Sequence, residues 1–100
     1  MKTDLNTYAS QKIRSRIEQN GGRYWAGDNI SHYIEEGERD ELINELTIKF
    51  DGVLNSLVID TDTDPNSRDT ARRLAKMYIN ELMSGRYDPM PNATAFPNHT

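Results

Sequence analysis

The residues that come nearest to chemistry in this sequence are the run Arg72-Arg73-Leu74-Ala75-Lys76. On a helix, residues three apart share a face, so Arg73 and Lys76 project together. A guanidinium grips phosphate oxygens bidentately and an ammonium adds a point charge, which suits the pair to a polyphosphate. Periodicity alone favours a plainer reading of the same residues, a solvated basic face.

Other candidates fail on spacing. Asp60-Thr61-Asp62-Thr63-Asp64 looks like the opening of a calcium loop. Such a loop needs Gly at its sixth position and Glu at its twelfth, and Pro65 and Ala71 stand there. It reads as an acidic loop before a helix. His32 and His99 are the only histidines and there is no cysteine, whereas a zinc site needs three or four convergent ligands. His32 is expected at a partly packed surface position. Gly21-Gly22 and Gly27 do not form a phosphate loop, and no Ser or Thr has a histidine base near it in sequence. The expectation is no catalytic residue and no metal ligand, with Arg73 and Lys76 as the candidate substrate contacts.

The elements that must position those residues are helical. A weak amphipathic helix is predicted over 5–19, stopped by Asn20-Gly21-Gly22. An aromatic connector, Arg23-Tyr24-Trp25-Ala26-Gly27, leads to a short helix over 29–36 that Asp28 or Asn29 can cap, with Gly37 interrupting it. The clearest helix spans 38–58, with Leu42, Leu46, Phe50, Val53, Leu54 and Leu57 on one face and Glu38, Arg39, Asp40, Glu41 and Glu45 towards solvent. Ser67 is expected to cap a second strong helix over 67–84. Its stripe is Ala71, Leu74, Ala75, Tyr78 and Leu82, and Gly85 is its expected left-handed C-terminal cap. Prolines at 89, 91 and 97 predict an extended tail from Arg86, in which Thr94-Ala95-Phe96 has the residue types to open a strand.

Composition sets limits on what such a chain can do. One hundred residues with 35% hydrophobic and 28% charged side chains suit one small, mainly α domain with a thin core. Narrow apolar stripes on such a domain predict self-association or a second chain. A net charge of −4 argues against general nucleic-acid binding. There is neither a secretory h-region nor a membrane-length apolar run, so a cytoplasmic location and no membrane contact are expected.

The stretch Thr70-Ala71-Arg72-Arg73-Leu74-Ala75-Lys76-Met77-Tyr78, preceded by Asp64-Pro65-Asn66, resembles the helical segment of GTP cyclohydrolase I. So do Glu81-Leu82, Ser84-Gly85-Arg86-Tyr87 and a tail reading Pro89-Met90-Pro91 and then Phe96-Pro97-Asn98. Upstream, Gly27-Asp28-Asn29-Ile30-Ser31 and Leu57-Val58-Ile59-Asp60 look similar to some bacterial and phage members. The likeness covers about 23–100 and is most specific over 70–78. After the weak helix of 1–22, it implies the N-terminal helical part of an α+β T-fold protein: a helical domain over 23–85 and a tail over 86–100 leading to a β-domain that this sequence lacks. It further implies that Arg73 and Lys76 reach the triphosphate of GTP, which favours the ligand reading over the solvated face. Ala71 stands where the family usually has Pro, a residue that mainly preorganises a helix start. The family's zinc ligands and catalytic histidine lie in a Cys-His-His motif and a later cysteine, and none of these is present. The expectation is therefore a truncated or split GTP cyclohydrolase I, inactive alone, with no cofactor of its own and weak affinity for GTP or another triphosphate. The alternative is a stand-alone helical module that binds a nucleotide or a protein.

Overall fold

The computed structural model describes residues 8–90. Its first helix, α1 (Ala9–Gln19), buries Ala9, Ile13 and Ile17, a four-residue repeat along one face. It ends where the Asn20-Gly21-Gly22 punctuation predicts. Gly21 takes φ +67°, and the amides of Gly21 and Gly22 donate to the carbonyls of Glu18 and Ile17. That arrangement satisfies acceptors the last turn would otherwise leave open. Residues 5–7 of the expected helix lie outside the described residues.

The helix expected over 29–36 is only a 3-10 turn, Ser31–Tyr33. The Asn29 side-chain oxygen accepts from the Ser31 amide at 3.0 Å and from its hydroxyl at 2.6 Å. This local bonding competes with helix formation. Ile34 is already extended, and Gly37 at φ +85° leads into the next helix.

Helix α2 (Glu38–Ser56) buries Leu42 and Leu54 as expected, with Leu46 and Phe50 partly covered. Three expectations need correction. Ile43 joins the buried face, whereas Val53 and Leu57 are 52% and 64% exposed. Glu38 and Glu45, expected towards solvent, are only 4% and 5% exposed. The reason is α1. Arg16 grips both carboxylate oxygens of Glu38 and also donates to the Tyr33 carbonyl at 2.7 Å. The Ser10 hydroxyl and amide donate to Glu45 at 2.6 and 3.1 Å. Each carboxylate enters the helix interface with its hydrogen bonds made, which is what makes its burial tolerable.

The C-terminus of α2 repeats the cap of α1 with an unsuitable residue. Val58 sits at φ +68°, and the amides of Val58 and Ile59 donate to the carbonyls of Asn55 and Leu54 at 2.9 and 3.2 Å. Glycine normally fills this position, because a β-branched side chain there is strained.

The single helix expected over 67–84 is three pieces: α3 (Thr70–Met77), a π-helical turn (Tyr78–Leu82) and α4 (Ser84–Tyr87). Residues 65–69 form turns, so Ser67 is not the cap; it is buried ahead of the helix, its hydroxyl 3.4 Å from the Asp64 carbonyl. Gly85 lies inside α4 without a positive φ, which corrects the expected left-handed cap. Arg86 and Tyr87 complete that turn, so extended chain begins at Asp88 rather than Arg86. Residues 91–100, including the expected strand, lie outside the described residues.

The π turn changes which residues face the core. A regular helix advances about 100° per residue, and one extra residue in a turn sets later side chains back by about that angle. Ala71, Ala75 and Ile79 therefore make the buried stripe, with Ile79 only 1% exposed. Leu82, expected on the stripe, is 60% exposed. Tyr78 remains at the edge, its ring 5.3 Å from that of Phe50 on α2. Ala75 and Ile79 meet Ile13, Ile17 and Leu42 in one mainly helical core, and there is no strand among the described residues.

The connector is fastened to α4. The Arg86 guanidinium donates to the carbonyls of Tyr24, Trp25, Ala26 and Asp28, and the Asn29 amide donates to those of Gly85 and Asp88. Arg23 closes the loop by a bidentate bond to Asp28 and lies 4.1 Å over the Trp25 ring.

Two outcomes are expected. The hydrogen bonds from Arg16, with a smaller contribution from the Glu35 amide, hold the Glu38 carboxyl below its ordinary value against the opposing effect of burial. The resulting stabilisation is complete above about pH 4.3, the unfolded value, and is lost as pH falls further through the lower folded value. Thermal melts of Glu38→Gln from pH 7 to 3 should show a lower plateau and a flatter acid limb than the parent. Val58→Gly removes a left-handed cost of about 1–2 kcal/mol and adds about 0.5–1 kcal/mol of unfolded-chain entropy. Urea unfolding should therefore find the variant more stable by about 0.5–1 kcal/mol.

Candidate functional site

Arg73 and Lys76 are both solvent-exposed on α3. They line one shallow depression of about 500 Å³ with Thr70, Leu74, Met77 and Glu81. That volume lies within the roughly 300–1,000 Å³ range of small-molecule sites. Every lining residue comes from one continuous helical segment, so α3 and the turn after it build the depression together. Neither cation has an ion-pair partner among the described residues. Arg72 is separate: it donates to the Asn44 side chain of α2 at 3.0 Å and does not line the depression.

Leu74 and Met77 are partly buried and give the depression an apolar floor, while Arg73 and Lys76 supply charge at its rim. Glu81 is the residue that spacing did not single out. On a regular helix it would lie about 80° round from Arg73. The π turn sets it back by about 100°, to nearly the azimuth of Arg73. No pattern of apolar residues signals that shift. The result is a site with two cations at one end and a carboxylate at the other. It can accept an anionic group beside Arg73 and Lys76, and it disfavours extending that anion towards Glu81.

The remaining candidates stay apart. His32 is exposed, its ring 4.1 Å from that of Tyr33, and His99 lies outside the described residues. The acidic loop is organised around Asp60, which accepts from the Thr63 hydroxyl at 2.6 Å and from the amides of Asp62 and Thr63. Those bonds, the Thr63 hydroxyl first, hold the Asp60 carboxyl below its ordinary value. The loop is a set of side-chain turns, not a converging ligand set. Among the described residues no three His, Cys, Asp or Glu side chains are grouped to hold a metal. No helix among the described residues is long and apolar enough to cross a membrane.

Comparison with protein-family models, with characterised proteins and with solved structures finds no match to this chain.

Proposed function

We propose that this chain supplies the triphosphate-binding part of a GTP cyclohydrolase I-type site and acts with a second chain that carries the T-fold domain. What carries this reading is the placement of Arg73 and Lys76. The residues of the resembling run lie side by side at the rim of one depression, exposed and without an ion-pair partner among the described residues. Arg73 would hold two phosphate oxygens through its planar fork, and Lys76 would neutralise a neighbouring oxygen. The role read here is to bind and orient the phosphate end of GTP, while opening the guanine ring would fall to the zinc-bearing T-fold domain of such an enzyme. On this reading the chain would work at an early point in pterin synthesis, in the cytoplasm, as one component of an oligomer.

A second reading, a stand-alone helical nucleotide-binding module, is favoured by one observation. A single helical segment of this chain builds the whole depression, so the site does not need a partner to exist.

Titration calorimetry with GTP is expected to show weak binding that declines as salt is raised, because both contacts are exposed charges. Changing Arg73 and Lys76 together to Ala should abolish it without loss of circular-dichroism helicity, since both lie off the Ala71/Ala75/Ile79 stripe. A double variant that binds GTP as well as the parent removes the proposed site. Formate release from GTP by the purified chain alone removes the two-chain reading, and tight GTP binding without turnover favours the stand-alone module.

A further inference from the structure

The C-terminal part of α2 with the loop after it, and the helix α3 that follows, carry opposite charges that are not paired with each other among the described residues. Residues 51–64 hold four aspartates and no basic residue, whereas residues 66–76 hold four basic residues and one aspartate. No ion pair joins these two groups among the described residues. Each of the two also carries apolar surface of complementary form. At the end of α2, Val53, Leu57 and Val58 are 52%, 64% and 91% exposed, and Val58 is held outward in the left-handed conformation. On α3, Leu74 and Met77 floor the depression that Arg73 and Lys76 rim. One surface is an apolar knob bordered by carboxylates; the other is an apolar depression bordered by cations.

We propose that two copies of this chain associate by seating the Leu57-Val58 knob of one in the Leu74/Met77 depression of the other, with Asp62 facing Arg73 and Lys76. Both surfaces are present on every copy, so two copies can exchange them reciprocally, the self-complementary arrangement of a two-fold dimer. Asp62 is the carboxylate best placed to serve, because Asp60 and Asp64 accept hydrogen bonds within their own loop while Asp62 is exposed and accepts none there. Glu81, at the far end of the depression, disfavours a reversed seating in which the aspartates would lie beside it. The contact goes beyond the proposed nucleotide role. It needs only the charges and apolar side chains of this face, and it competes with a triphosphate, because Asp62 and the phosphates would take the same two cations, Arg73 and Lys76.

The test is sedimentation equilibrium of the full chain and three variants. The parent should dimerise with increasing concentration. Asp62→Lys and Lys76→Glu should each weaken the dimer by about tenfold or more, since each places like charges across both contacts. Mixing the two variants should restore it, because in the mixed pair one contact is parental and the other has its charges exchanged. Val58→Gly should weaken association while the chain stays folded, which separates loss of the knob from loss of structure. A parent that stays monomeric throughout, a single charge variant that dimerises like the parent, or a mixture no tighter than its components would each overturn the proposal. So would a Val58→Gly chain that associates like the parent.

Discussion

The bond between Arg16 and Glu38 is the interaction on which the rest of this structure depends. Helix α1 offers only Ala9, Ile13 and Ile17 to the core, too little apolar surface to fix its orientation on α2. The guanidinium supplies what the stripe lacks: it spans both oxygens of Glu38 and the Tyr33 carbonyl, tying α1 to the first turn of α2 and to the turn before it. Ser10 with Glu45 repeats the device two turns along α2. Two fixed points determine the rotation and the register of one helix on the other. Both carboxylates are buried at the interface, so removing Arg16 or Ser10 while the helices stay packed would leave a buried carboxylate without its partner, a cost greater than the net value of the bonds themselves.

With α2 held in this way, the π turn decides what the last helical segment presents. Its extra residue lets Ile79 follow Ala75 into the core and removes Leu82 from it. The same displacement brings Glu81 to the face of Arg73 and Lys76, so the core and the depression are set by one irregularity. Beyond the turn, Arg39 of α2 binds Asp88 at 2.8 Å, and the Arg86 and Asn29 bonds hold α4 against the connector. A π turn shifts direction as well as register. Bonds from two separate parts of the chain fix the helix end that follows it, so the displacement persists instead of relaxing into a regular helix.

The parts of this fold that were legible in the sequence are those encoded by local signals. Gly21 and Gly22 end α1 where the dipeptide says a helix should stop, and α2 starts at Glu38, immediately after Gly37. Its length was read to within two residues at its C-terminal end because long-range packing does not contradict its four-residue apolar repeat. The misreadings all have a partner distant in sequence or an irregular backbone. Glu38 and Glu45 looked solvent-facing because their partners lie on α1, about 20 to 35 positions away. Ser67 looked like a cap because Ser is a good one, yet its hydroxyl faces the Asp64 carbonyl. Leu82 looked buried because the pattern was extrapolated through a turn that is not α-helical. Arg73 and Lys76 could be placed on one face from spacing alone, since the three-residue rule holds in the regular part of α3, whereas Glu81 lay beyond its reach.

The C-terminus of α2 breaks local rules in two independent ways, and both breaks point outward. A helix end carries partial negative charge and favours basic residues. The last turn of α2 has none, and Asp60 and Asp62 follow it closely. Its left-handed cap position favours glycine, and a β-branched residue occupies it, 91% exposed. Nothing among the described residues compensates either feature. Such inconsistencies between local preference and structure are characteristic of functional surfaces. Cations brought from outside would relieve the first, while burial of the Val58 side chain would offset the second. The face of α3 carries both an apolar floor and a pair of cations with no ion-pair partner among the described residues. The mismatch at the C-terminus of α2 and the cations of α3, unpaired among the described residues, are complementary within a single sequence.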